Sequence, residues 1–236
     1  MEPQPFTIFG TSHIITLVII LCLAIFFPRI YRDKSVSKKE NAAKILGMSI
    51  IALELIKPFI WHYLDYPWIR LIPIHMCSLS GLFIGIFLLT KKRIFFEVAF
   101  FWGIGGGINA LITPDVTLTF PDPVYLLFFI GHGLLIVNIG YACIALSNRP
   151  TFNSVKNGIF FTLAVLPIIY IINLLLGPPA NYWFLGTKPT EGQSIMDFFP
   201  DPPLHIPLLI IIGAFLFLLI YAPYWVHDKF KNPNAE

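Results

Sequence analysis

The sequence predicts an all-α polytopic membrane protein, a bundle of seven transmembrane helices. Three observations predict it. Charged residues are only 12% of the 236, where a soluble domain carries about 25%. Hydrophobic residues reach 56%, more apolar sequence than a soluble core of this length hides. The apolar residues also gather into seven stretches of roughly 20 residues, the length an α-helix needs to cross a bilayer. Leu, Ile and Phe fill these stretches without strict alternation, which argues against a β-barrel. The organisation is one integral membrane domain over 1–236 with no soluble appendage.

The first stretch, 13–31, has no basic segment ahead of it and no small-residue cleavage site, so it is expected to be a retained helix rather than a signal peptide. The second, 42–63, holds Glu54 and Lys57 at i, i+3, the spacing of an intrahelical ion pair. The third, 71–90, opens LIPIHMCSLSG, with Pro73 suited to a first helical turn. The fourth, 94–112, contains GIGGG at 103–107. Neither Lys nor Ser/Thr follows as a phosphate loop requires, so close helix packing is expected there. The fifth, 124–147, carries His132 between two glycines. The sixth, 158–177, ends near Asn173, and the seventh, 204–226, closes the bundle. Between the last two, a 26-residue, proline-rich segment over 178–203 has the length of a lid or binding loop.

Lys and Arg set the orientation. Thirteen of the 16 fall around the first, third and fifth connections and the C-terminal tail, which seven helices put on one side. The N-terminus is therefore expected outside and the C-terminus inside. The +3 net charge is a topology signal and implies no nucleic-acid partner. Cys22, Cys77 and Cys143 are isolated inside helices and give neither a disulfide framework nor a CxxC metal pattern.

This orientation gathers Glu54, Lys57, His75, Cys77, Asn109, His132 and Asn173 into one leaflet. Polar side chains inside a bilayer mark functional sites. Cys77 is placed about one turn into the third helix, near the positive end of the helix dipole, which favours the thiolate. Apolar burial acts in the opposite sense, and lone buried cysteines also serve as inert packing. His75, two residues away, points to another helix face but shares one with Ser78, so a Ser78–His75 dyad competes. His132, from a different helix, suits a general base for Cys77; their separation of 55 residues is no obstacle in space. Asn109 and Asn173 stand near outer helix ends, where an amide donates to an oxyanion or ester carbonyl or joins helices. Asn181 and Tyr182 follow just outside and return toward the same pocket. Asn138 lies deeper, in a structural position. His13, His62 and His205 are expected at wet, interfacial helix ends. Several histidines with Asp115 offer ligands for a catalytic zinc, but no HxxxH or HExxH motif is present, and no metal or cofactor is assigned.

IPIHMCS at the start of the third helix, GHG in the fifth and N-x3-GPPANYWFLGTKP after the sixth resemble the YwaF-like bacterial integral membrane proteins and eukaryotic transmembrane protein 164. The likeness covers most of the chain, including the seven-helix layout. It implies a phospholipid acyltransferase of the cysteine-dependent transacylase type, which moves fatty acyl chains onto lysophospholipids. The cysteine and histidine of that chemistry match Cys77 and His132. The expectation is an enzyme of the bacterial plasma membrane, with its site toward the extracytoplasmic leaflet and phospholipid and lysophospholipid as partners. A lipid hydrolase built on the same residues, or a non-enzymatic lipid sensor or transporter, are the alternatives. The largely apolar inner halves of the helices argue against transport.

Overall fold

The computed structural model describes residues 4–188 and 195–231. Among them the chain is helical, with one isolated β-bridge between Pro5 and Leu118. The main helices are α1 Thr11–Arg32, α2 Val36–Tyr63, α3 Met76–Thr90 and α4 Arg93–Ile112. They are followed by α5 Pro123–Ile144, α6 Phe152–Leu176 and α7 Ile206–Lys231. Local chemistry sets several boundaries. Asp122 caps α5 by accepting from the backbone N–H groups of Val124 and Tyr125 at 2.9 and 3.2 Å, with Pro123 in the first position. Thr151 and Ser154 form a reciprocal capping box at the start of α6.

Hydrogen bonds between loops fix which helix ends lie together. His13, at the start of α1, donates through Nε2 to the Leu111 carbonyl at the end of α4. Phe6 and Thr119 pair with Thr117 and Gln4 across the same end. The Tyr182 hydroxyl, after α6, donates to the Ile69 carbonyl ahead of α3. At the other end, Tyr141 in α5 donates to the Lys39 carbonyl in α2, and Arg93 in α4 donates to the Arg149 carbonyl after α5. All the basic loops therefore share the end opposite Cys77.

The most buried helices are α4 and α5, while α1, α6 and α7 expose most of their apolar surface, as helices facing lipid do. Five helices are long and apolar enough to cross a membrane: α1, α4, α5, α6 and α7. The other two depart from the sevenfold expectation for physical reasons. The 28 residues of α2 include Lys38, Lys39, Glu40, Lys44, Glu54 and Lys57. The 15 residues of α3 rise about 22 Å, short of the roughly 30 Å hydrocarbon thickness. Pro73 does not open α3 as expected. Helix formation begins three residues later because the Ile74 carbonyl accepts instead from the Trp183 indole at 2.9 Å.

Close backbone approach locks the bundle. A Cβ on Gly140 of α5 would lie 2.6 Å from the Ala24 carbonyl oxygen of α1, a clash with backbone that no rotamer relieves. Gly140→Leu is expected to destabilise the fold by about 1–3 kcal/mol, the usual cost of overpacking. A thermal unfolding series in detergent checks this, and an unchanged midpoint would contradict the α1–α5 contact.

Candidate active site at the Cys77 end of the bundle

Cys77 is the second residue of α3, with His75 in the N-cap position. It therefore lies within the first turn, where backbone N–H groups lack helical partners and the dipole favours negative charge. Its half-buried side chain faces the glycine run of α4. Gly103–Gly107 is a π-helical turn, a geometry frequent at functional sites. A Cβ on Gly106 would lie 3.4 Å from Cys77 Sγ, and one on Gly103 would lie 2.5 Å from Ile139 of α5. One on Gly105 would lie 3.1 Å from Leu216 of α7. The run is thus a bare hub against three helices, as the packing expectation required, and it opens space beside the thiol.

Lys57 occupies the centre of the site. Its ammonium donates to both Glu54 carboxylate oxygens, at 2.8 and 2.7 Å, and to Ser78 Oγ at 3.5 Å. The expected intrahelical ion pair is present, but it is nearly buried: Glu54 is 3% exposed and the Lys57 side chain 18%. Glu54 lies over Gly81 of α3, and Lys57 Nζ would be 3.8 Å from a Cβ on Gly131 of α5. The cation therefore stands between the residue after Cys77 and the residue before His132. Both members of the pair act electrostatically on Cys77 and on His132, and His75 acts on His132 as well.

His132 is half-buried, with its ring against that of Phe128 at 4.3 Å between centroids. Its Nδ1 lies 2.9 Å from the Phe128 carbonyl. A carbonyl only accepts, so Nδ1 carries the proton in this bond. In the neutral ring, the lone pair is then on Nε2. That is the tautomer a general base needs.

The segment after α6 closes over this end. Asn173, 6% exposed, makes a two-way clamp on Tyr182. Its Nδ2 donates to the Tyr182 carbonyl at 2.9 Å, and its Oδ1 accepts from the Tyr182 N–H at 2.8 Å. Tyr182 is itself buried, its ring against His75 at 4.6 Å, and burial pushes its phenol above the usual value. Trp183 and Phe184 follow with φ of 60° and 55°, left-handed conformations that bulky residues hold only when their surroundings impose them. Asn181 organises the next turn, accepting from Gly186 and Thr187 N–H and donating to Thr187. Lys188 donates to the Phe199 carbonyl and to Asp201, strapping the two ends of the expected lid; its residues 189–194 lie outside the described residues.

Two of the wet, interfacial histidines are corrected. His13 is 1% and His205 0% exposed. His13 accepts from Phe9 N–H and donates to Leu111, inside a ring of Phe6, Phe9 and Phe129. His205 bonds the Phe184 carbonyl. Both fasten connecting segments to helix ends and are buried by doing so. His62 is exposed, stacked on Trp68. Asn109 is also exposed, and its carbonyl accepts from Thr113.

An apolar groove of about 180 Å³ lies between the start of α3 and the glycine run of α4. Its walls include Met76, Trp102, Gly106, Leu166, Trp183 and Phe217. It is smaller than the roughly 300–1,000 Å³ of a small-molecule or cofactor pocket. Among the described residues, no three His, Cys, Asp or Glu side chains are gathered as a metal site requires.

Reading the sequence alone undervalued Lys57 and the glycine run, and missed Glu97. The Glu97 carboxylate, buried in α4, accepts from Arg93, Ser154 and Asn157 at 2.8–2.9 Å and ties α4 to α6 at the basic end. The spacing Arg93–Glu97 at i, i+4 was the available signal.

The family model described as the TMEM164 family matches residues 8–221. A protein of Treponema pallidum (strain Nichols), carried as an uncharacterized protein, is 24% identical over 231 residues, covering 96% of this chain and 93% of its own length. No solved structure matches.

Proposed function

The chain belongs to the TMEM164 family, and from that premise we propose that it is an intramembrane phospholipid acyltransferase working through a thioester on Cys77. The observation that carries the reading is the presence of three features toward one end of the bundle. A cysteine stands in the first turn of α3, next in sequence to Met76 of an apolar groove, which this reading assigns to the acyl chain. A histidine with Nε2 available stands on a second helix, in the same electrostatic neighbourhood.

In this mechanism His132 Nε2 takes the Cys77 proton as sulfur adds to the ester carbonyl of a phospholipid. Collapse breaks the acyl C–O bond. The imidazolium returns the proton to the departing oxygen, releasing a lysophospholipid and leaving the acyl group on sulfur. A second lysophospholipid hydroxyl then gives its proton to His132, attacks the thioester and restores the thiol. Donors for the oxyanion are the N–H groups of the first turn of α3, which have no partner within the helix, with His75 close by and Asn173 retaining one amide proton beyond its bond to Tyr182. Both substrates enter from the bilayer. With the basic end of the bundle inside, the site opens to the extracytoplasmic leaflet of a bacterial plasma membrane.

Intact-protein mass spectrometry after incubation with mixed phospholipids tests this. The expected result is a fatty-acyl mass increment on the protein, removed by hydroxylamine, together with released lysophospholipid. No adduct and no lipid turnover by folded protein would overturn the enzymatic reading in favour of a lipid sensor. Fatty acid released in place of acyl transfer would assign hydrolysis.

A further inference from the structure

The Glu54–Lys57 pair has no role in the acyl-transfer steps, yet it is the most buried pairing of opposite charges at this end of the bundle. Lys57 Nζ is 3.5 Å from Ser78 Oγ, a distance that invites a Ser–Lys dyad. The geometry argues against that assignment. A lysine acting as base for a serine must be neutral, whereas two carboxylate oxygens at 2.7 and 2.8 Å hold this one in an ion pair. What the pairing fixes is the position of a cation. A lysine stem with free rotors is otherwise mobile. Here Glu54 is packed over Gly81, anchoring the ammonium between the Cys77 helix and the His132 helix.

We propose that Lys57 is a positioning residue for the nucleophile: its ammonium, held in place by Glu54, supplies the positive charge that makes the Cys77 thiol easier to ionise as His132 takes its proton. The charged and titratable groups acting on Cys77 from α2 are Lys57 and Glu54. On α5 His132 lies in the field of the same pair, and His75, ahead of α3, acts on His132. The two members of the pair act on the thiol in opposite senses, because one is a cation and the other an anion. The inference deepens the reading of Cys77 as nucleophile but concerns its ionisation alone, so it is tested without any lipid substrate.

The experiment is iodoacetamide labelling of the full-length protein in detergent across a pH series, with the Cys77 peptide quantified by mass spectrometry. Lys57→Met is expected to slow Cys77 alkylation by about tenfold at neutral pH and move the profile to higher pH, since a nearby opposite charge shifts a titration by about one unit or more. Lys57→Arg is expected to keep the wild-type profile within about threefold, because the charge is preserved. Glu54→Gln is expected to move the profile to lower pH and speed alkylation. The opposite signs are the discriminating feature: a merely structural pair would change reactivity in the same direction when either member is lost. An unmoved profile in Lys57→Met, or a shift to higher pH in Glu54→Gln, overturns the proposal. If Lys57→Met does not fold, the direction of the Glu54→Gln shift decides. Loss of the thiolate effect with acyl transfer intact refutes this inference alone, whereas the expected profiles without acyl transfer refute only the assigned function.

Discussion

Cys77→Ala is expected to reduce acyl transfer to the level of a protein-free control and to abolish the hydroxylamine-labile adduct, with the fold retained. The thiol is the only atom in the proposed mechanism to which the acyl group is bonded, so its removal eliminates a step rather than slowing it. His132→Ala should lower the rate by about 10²–10⁴-fold, the usual contribution of a positioned acid–base group. It should leave a slow adduct that accumulates on sulfur. Single-turnover assays with a labelled phospholipid separate the two variants. Intact transfer in folded Cys77→Ala would refute the thioester route and return attention to Ser78. His132→Gln keeps a side chain of similar reach against Phe128 without a titratable nitrogen; wild-type rates in that variant would remove His132 from the chemistry.

Asn173→Ala is expected to release the segment over 177–188 and, with it, activity. Asn173 contributes one donor and one acceptor to the backbone of a single residue, Tyr182, at 2.9 and 2.8 Å. Truncation leaves the buried Tyr182 N–H without a partner and its carbonyl with only the long bond from Leu185 N–H at 3.4 Å, at about 1–3 kcal/mol for the unpaired group. The left-handed Trp183 and Phe184 then lose one of the constraints that hold them. The measurable consequences are a lower unfolding midpoint, faster limited proteolysis between 177 and 188, and loss of the His75–Tyr182 ring contact. Asn173→Asp keeps the acceptor and should fall between alanine and wild type. Tyr182→Phe removes the hydroxyl's bonds to the Ile69 carbonyl and the Ile72 backbone and should cost about 1 kcal/mol for each. Proteolysis of Asn173→Ala at the wild-type rate would show that the segment is held by its other contacts.

Much of this was written plainly in the sequence because it depends on composition and period. The apolar stretches gave the seven main helices, and most of their limits, to within a few residues. The basic residues gave the shared end of the loops. The i, i+3 spacing gave the Glu54–Lys57 pair. Where the sequence expectation failed, a contact distant along the chain had replaced a local one. The start of α3 is the clearest case. Pro73 and the apolar run favour a helix from that point, but Trp183, more than 100 residues away, takes the Ile74 carbonyl. His13 and His205 failed in the same manner. A histidine near a helix end reads as wet until the partner that buries it is known, and for these two the partners are Leu111 and Phe184.

The sequence by itself determined that this chain is a helical membrane protein of the TMEM164 family, and which residue types were available for chemistry. Burial in lipid restricts composition so severely that each exception, among them Cys77, His132, Lys57 and Asn173, stands out. Only the tertiary structure decided what those exceptions do together. It joined Asn173 to Tyr182 and left Asn109 exposed. It set a bare glycine of α4 against the thiol, and put a paired lysine between the helices of Cys77 and His132, residues that the chain separates by 55. The reason is physical: the cost of burying a polar group is a property of the residue, whereas the partner that offsets that cost is set by helix packing.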